Sequence, residues 1–263
     1  MPQPPAHNTI GIPFIELQSV DSTNNYLRQL VHEKGTESGT AVFAHEQLSG
    51  KGQRGKTWSS EKNFNIILSI LINPFPIPLS LQFHLSACIS VALYDFFYKY
   101  AGEETRIKWP NDLYWQDKKA GGILIESIVR SQESGVGSSG SEARNWKWAI
   151  VGIGININQT SFPTNLPNPV SLKQITGKNF DPVSLAKELC TFLDKRFQQL
   201  ISGGFETIYR NYLSHLYKKD QTVRLKKDNR VFEATIKGVS PSGKLITQHS
   251  IEEEFDFGKV EWL

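Results

Sequence analysis

SGKGQRGKTWSS, residues 49–60, is the stretch on which the fold turns. Gly50, Gly55, Lys56 and Thr57 satisfy the spacing G-x-x-x-x-G-K-[ST] of a phosphate-binding loop. Such a loop follows a strand and opens directly into a helix whose N-terminus holds the phosphates. The strand is there: TAVFAHEQ (40–47) has the right character. The helix is not. Trp58 to Asn63 is polar, and FNIILSILI (64–72) is a β-branched apolar run stopped by Pro74, Pro76 and Pro78, which reads as a buried strand. A partner strand ending in a magnesium-holding aspartate is also missing. The segment is therefore a glycine-rich, cationic connection between two strands. Gly50, Gly52 and Gly55 permit positive φ and close approach of a ligand. Lys51, Arg54 and Lys56 repel one another with no acid nearby, so the loop is expected to be mobile until an anion neutralises it, with Trp58 free to cover a flat group such as adenine. The same residues also fit a solvated basic turn.

Outward from the loop, residues 1–11 read as a floppy tail and IPFIELQSV (12–20) as a strand. Asp21, Ser22 and Thr23 are N-cap types opening a helix that runs to about Lys34 and ends at Gly35. Residues 79–100 form a long helix, apolar on most faces. Residues 105–130 read as strand, short strand, turn and strand, 130–145 as a mobile Gly/Ser-rich connection, and 146–158 as another strand. Two amphipathic helices follow at 182–202 and 205–217. From about Gln221 short strands alternate with turns, the pattern of a small β-barrel. Consecutive strands without intervening helices predict an α+β fold: a mixed, largely antiparallel sheet with packed helices, plus the C-terminal barrel. The expected division is a tail (1–11), a main domain (12–219) and the barrel (220–263).

The 263 residues carry a net charge of +3, too mild to imply nucleic-acid binding. Cys88 and Cys190 sit in apolar helical patterns and are expected to be buried free thiols. MPQPPAHNTIG lacks the apolar core and basic start of a signal peptide, and no uninterrupted apolar run reaches the ~20 residues of a membrane span, so a cytoplasmic protein is expected.

Two more constellations carry chemistry. In KWPNDLYW (108–115) Pro110 sets a turn at a strand end, and Asn111 with Asp112 offers an amide and a carboxylate, a pair suited to a hydrated Mg²⁺ carried by phosphates. Pro-Asn-Asp is equally an ordinary turn. Lys119, favoured over Lys118, precedes the small residues Ala120, Gly121 and Gly122 and the apolar run ILIE, so it can lie against a ligand. In VGIGININ (151–158) Gly152 and Gly154 allow close approach by a ligand or by packed neighbours, and Asn156 suits a phosphate or ribose.

In this order and spacing, DSTN (21–24), EQLSGKGQRGKTW (46–58), KWPNDLYW (108–115), KKAGGILIES (118–127) and VGIGINI (151–157) resemble the biotin protein ligase family, from about residue 12 to the end. The resemblance implies the class II synthetase-like fold of biotin and lipoate ligases, with an SH3-like C-terminal barrel. It implies ATP and biotin as substrates with Mg²⁺: the biotin carboxylate attacks the α-phosphate, and a lysine of a biotin carboxyl carrier domain then takes the acyl group from the adenylate. By motif position, Ser22, Thr23, Asn24 and Gln47 would hold the ureido head, and Gly50, Lys51, Gln53 and Gly122 would line the tail. Lys119 would bridge the carboxylate and α-phosphate, and Arg54 and Lys56 would meet the phosphates. Trp58, Lys108, Asn111, Asp112 and Asn156 would serve the nucleotide, Asp112 through the metal. Lys119, Lys51 and Arg54 would carry the catalytic charge.

The chain departs from the family at two positions where arginine is frequent: Lys51 keeps the charge without the bidentate fork, and Gln53 lacks the charge. Some family members repress transcription through an N-terminal helix-turn-helix. About eleven residues precede the first strand here, so no specific DNA binding is expected. A homodimer through sheet edges is compatible with the pattern. The rival readings are a lipoate ligase, disfavoured by the basic loop and KWPND, and a non-catalytic binding module, disfavoured by Lys119 and Asp112.

Overall fold

The computed structural model describes residues 9–129 and 146–263. The expected mobile connection at 130–145 and the first eight residues of the expected tail lie outside them. Thr9 to Gly11 do not behave as a tail. Ile10 is 4% exposed, its N–H donates to Asp194 Oδ1 at 2.9 Å, and Gly11 N–H donates to Gly39 O at 2.8 Å. One apolar side chain with a place in the core and two satisfied amides are enough to hold these residues down.

The main sheet has seven strands: β1 (Phe14–Leu17), β2 (Ala41–Ala44), β3 (Ile66–Ile72), β4 (Thr105–Lys108), β5 (Asp112–Trp115), β6 (Lys118–Val129) and β7 (Trp146–Ile155). Their order is β1-β2-β3-β7-β6-β5-β4. Only β1 and β2 are parallel among these neighbours. The fold is thus α+β with a mixed, largely antiparallel sheet. The inner strand β3 is buried at every residue, as the unbroken run IILSILI requires of a strand covered on both faces.

Helix α1 (Thr23–Lys34) closes one face, with Leu27 and Leu30 on Val42, Leu71 and Ile150. It ends at Gly35, whose φ of 60° is the left-handed cap that glycine adopts without strain. The other face carries α2 (Gln82–Ala101), α4 (Pro182–Ile201) and α5 (Phe205–Ser214) over a large apolar core. Leu79–Glu104 is long and apolar enough to cross a membrane, but α2 is covered by the sheet, α4 and α5, and twelve of its residues are buried in the protein. Both cysteines are free and buried.

A short helix α3 (Leu172–Thr176) was not expected from the sequence. It starts at a capping box, Ser171 Oγ accepting from Gln174 N–H, and stops at Gly177. The C-terminal unit is a five-stranded antiparallel sheet in the order β11-β10-β9-β8-β12, as in an SH3-like domain: β8 (Thr222–Lys227), β9 (Arg230–Val239), β10 (Leu245–Gln248), β11 (Glu252–Phe255) and β12 (Glu261–Trp262). It is joined to the main sheet at Trp109, whose Nε1–H donates to Gly243 O at 2.9 Å and whose ring meets Phe257 edge-on.

Candidate active site

The period of two along β3, β6 and β7 puts Ser69, Gly122, Glu126, Gly152 and Gly154 on the α1 face of the sheet. Cross-strand pairing sets Gly122 beside Gly154 and Ser69 beside Gly152. Where α1 does not reach, Gly122, Gly152 and Gly154 open this face beside Ile67 and Leu124, under a cavity of about 640 Å³. A Cβ on Gly152 would collide with Asn24, and one on Gly154 with the Trp58 indole. Both glycines therefore receive side chains, Asn24 at Gly152 and Trp58 at Gly154. Trp58 lies half-buried on this face with its Nε1–H unpartnered, and Lys119 Nζ is 6.0 Å from its ring centre.

At one part of the wall stand Ser22, Thr23, Asn24 and Gln47. Ser22 caps α1 by position but its hydroxyl makes no cap bond, so that hydroxyl is left for the cavity. Gln47 Oε1 accepts from Thr23 N–H at 2.8 Å and lies 3.1 Å from Thr23 Oγ1. Asn24 Nδ2 donates to Glu126 Oε2 at 2.7 Å, and Arg28 pairs with the other Glu126 oxygen at 3.2 Å. Ser69, Glu126 and Arg28 were missed by sequence reasoning. Only the strand alternation that places Ser69 and Glu126 beside VGIG pointed to them.

The basic loop is a closed hairpin. Lys51 bridges Thr57, Gly52 N–H donates to Lys56 O at 2.6 Å, and Trp58 N–H to Gly50 O at 2.9 Å. Gly50 is off the cavity wall, buried where a Cβ would strike the Trp58 carbonyl. Gln53 Nε2 donates to Ile123 O at 3.3 Å, the carbonyl that also accepts from Asn111 Nδ2. A neutral amide at this position thus pins the loop to β6. Arg54, at φ 55°, reaches the C-terminal unit, where its guanidinium packs at Gly258. Lys51 Nζ donates to Asn25 Oδ1, and Lys56 is exposed on the rim.

Lys119 lies inside β6, not before it. Leu113 pairs with Gly121 but Tyr114 pairs with Lys119, so Ala120 is an extra, bulged residue. The bulge turns Lys119 onto the same face as Gly122, where unbroken alternation would oppose them. Lys119 Nζ meets Asp112 Oδ1 at 2.7 Å, and the bare Gly122 leaves room for both. Lys118 is exposed. The Asn156 amide donates to Val170 O at 3.2 Å and lies 3.5 Å from Lys119 O, so it holds the Lys119 backbone as well as lining the cavity. Lys108 sits among Tyr114, Tyr217 and Trp262, 4.6–5.4 Å from their rings, and donates to Tyr114 Oη at 3.1 Å. Burial pulls its pKa down from 10.5 to about 8. No group of three metal-ligating side chains occurs among the described residues. Asp112 has one oxygen paired with Lys119, so it suits a magnesium that arrives mostly ligated by phosphate and water.

The sequence profile of the Biotin/lipoate A/B protein ligase family matches residues 16–140. The bifunctional ligase/repressor BirA of Bacillus spizizenii is 30% identical over 249 residues, which cover 93% of this chain and 72% of the relative. The chain belongs to the biotin protein ligase family. A biotin–[acetyl-CoA-carboxylase] ligase of Paracoccus denitrificans is 29% identical over 236 residues, covering 88% of this chain and 92% of that one. The biotin protein ligase of Aquifex aeolicus, solved in complex with biotin and ATP, superposes with a TM-score of 0.76 over 95% of this chain and 99% of that chain, at 24% identity. The biotin protein ligase fold thus extends over both the main sheet and the C-terminal unit described above.

Proposed function

We propose that this chain is an ATP-dependent biotin protein ligase that makes biotinyl-5′-adenylate and passes the biotinyl group to one lysine of a biotin carboxyl carrier domain. The observation that carries the reading is that a polar amide-and-hydroxyl wall (Ser22, Thr23, Gln47) and a cationic wall (Lys119 with Asp112, under the Lys51–Lys56 hairpin) share one cavity. The first suits a neutral cyclic urea, the second an acid meeting a polyphosphate.

An ionised carboxylate is already a nucleophile. The obstacle is bringing it onto a polyanion, which positive charge and fixed orientation remove. The biotin oxygen bonds to the α-phosphorus as the bond to pyrophosphate breaks. Lys119 lies between the two anions and offsets their charge, while Arg54 and Lys56 meet the phosphates of Mg-ATP. Trp58, Asn111 and Asn156 hold the nucleotide, and Asp112 keeps Lys119 aimed and would help hold the magnesium that ATP carries. Gly50, Lys51 and Gln53 set the hairpin over the tail, keeping water from the mixed anhydride. The neutral carrier amine then bonds to the acyl carbon, AMP leaves, and the amine proton is lost. Residues 12–219 perform both steps, and the 220–263 unit completes the cavity wall through Phe257, Gly258 and Trp262.

Mass spectrometry of a carrier domain incubated with the protein, Mg-ATP and either biotin or lipoate tests this. A biotin-sized gain on one lysine, dependent on ATP, is expected. A lipoyl gain instead would transfer the specificity to lipoate, and no gain with either acid would refute the ligase reading.

A further inference from the structure

Thr23, Asn24, Gln47, Ser69 and Glu126 form a chain of contacts with too few protons to satisfy every link. Ser69 Oγ lies 2.7 Å from Thr23 Oγ1 and 2.6 Å from Asn24 Oδ1, and Thr23 Oγ1 lies 3.1 Å from Gln47 Oε1. The two hydroxyls bring one proton each to these three oxygen–oxygen contacts. Both amide orientations are set from outside. Glu126 is acceptor-only when ionised, so Asn24 must turn Nδ2 to it and Oδ1 to Ser69. The Thr23 backbone N–H requires an oxygen at 2.8 Å, so Gln47 must turn Oε1 inward and leave Nε2 as a donor. Asn24 Oδ1 can only accept, so the Ser69 hydroxyl turns its one proton toward Asn24 Oδ1 and Thr23 Oγ1, at 2.6 and 2.7 Å. Thr23 therefore accepts from Ser69 and donates its own proton to Gln47 Oε1 at 3.1 Å. Thr23 Oγ1 keeps its second lone pair to offer.

We infer that Glu126 is a positioning residue: acting through Asn24 and Ser69, it sets Thr23 as a hydrogen-bond acceptor beside the Gln47 donor, the polarity that reads an N–H next to a C=O in the ligand's cyclic urea. The inference rests on the biotin reading above. Ser69 is 0% exposed, Thr23 3% and Asn24 4%, so water does not reorient the chain. Arg28 on the second carboxylate oxygen, at 3.2 Å, keeps Glu126 aimed.

The experiment is calorimetric titration of biotin, and of desthiobiotin, which keeps the urea, into wild type and variants, with steady-state KM for biotin and for ATP. E126A removes the acceptor and S69A cuts the relay. Each should weaken both acids by about 10- to 100-fold, the scale of leaving a buried polar group unpaired, with KM for ATP within about 2-fold. The double variant should be no worse than about the worse single one, because both break one chain. E126D keeps two carboxylate oxygens for Asn24 and Arg28 and should recover part of the affinity. Equal biotin affinity in wild type and E126A, or a loss in E126A with no recovery in E126D, overturns the inference while the ligase reading stands. A wild-type protein that does not bind biotin overturns both.

Discussion

Among single residues, Lys119 has the most demanding place, and the sequence pointed to it for only part of the reason. Its neighbours Gly121 and Gly122 suggested room; the bulge at Ala120 decided which face it takes. Lys119→Ala should lower adenylate formation by at least ~100-fold, the scale of losing one preorganised charge contact, read as pyrophosphate release in single turnover. Activity within about twofold of wild type would remove Lys119 from its role. Lys108 makes a prediction with a definite sign. Its folded pKa, about 8, lies below its ordinary 10.5, so the folded state resists the proton. The cost is full below pH 8 and is relieved as pH climbs from 8 toward 10.5, where the folded protein sheds its proton before the unfolded chain does. The melting temperature of Lys108→Met relative to wild type should therefore fall between about pH 7 and about pH 10. A pH-independent difference would contradict the burial argument. Lys108 was legible as a cation near the turn, but its aromatic surroundings were not, because Tyr217 and Trp262 arrive from distant parts of the chain.

At the scale of elements, strand β7 shows how two glycines in VGIG prepare the site. Gly154 receives the Trp58 ring and Gly152 the Asn24 amide. Gly154→Val should push Trp58 off the sheet face and raise KM for ATP by about 10-fold or more, with biotin binding changed far less, since a buried aromatic contact carries on the order of 1–3 kcal/mol. Equal losses for both substrates would mean the strand itself had shifted. In the hairpin, backbone bonds across Gly52 and Lys56 and the Gln53–Ile123 contact join the three cations' segment to itself and to β6. Charge and glycine content were readable locally; a hydrogen bond from Gln53 to a carbonyl 70 residues later was not. Helix α3 had its signal in Ser171-x-x-Gln174 ahead of Gly177, and five residues are too few for periodicity to show it.

For the molecule as a whole, the junction of the two sheets rests on Trp109, 3% exposed between Gly243 and Phe257. Trp109→Ala should cost about 3–5 kcal/mol in chemical denaturation, as for other large aromatics removed from a core. Trp109→Phe should recover part of it but not the hydrogen bond. A loss under about 1 kcal/mol would show that the units hold together elsewhere. The sequence by itself determined the element order and class, since the periods of strands and helices are local and the failed helix after Thr57 excluded a nucleotide-binding loop of the other kind. It also singled out the glycines, cations and KWPND turn that reach the cavity wall, because these are local signals, but not Phe162, Phe257 or Trp262, which also line it. What tertiary structure alone decided is which partners those side chains have. The Glu126–Asn24–Ser69–Thr23 relay and the Arg54 contact at Gly258 join residues far apart in the chain, and the Ala120 bulge, though local, is fixed by register, which is a property of the assembled sheet that no single segment contains.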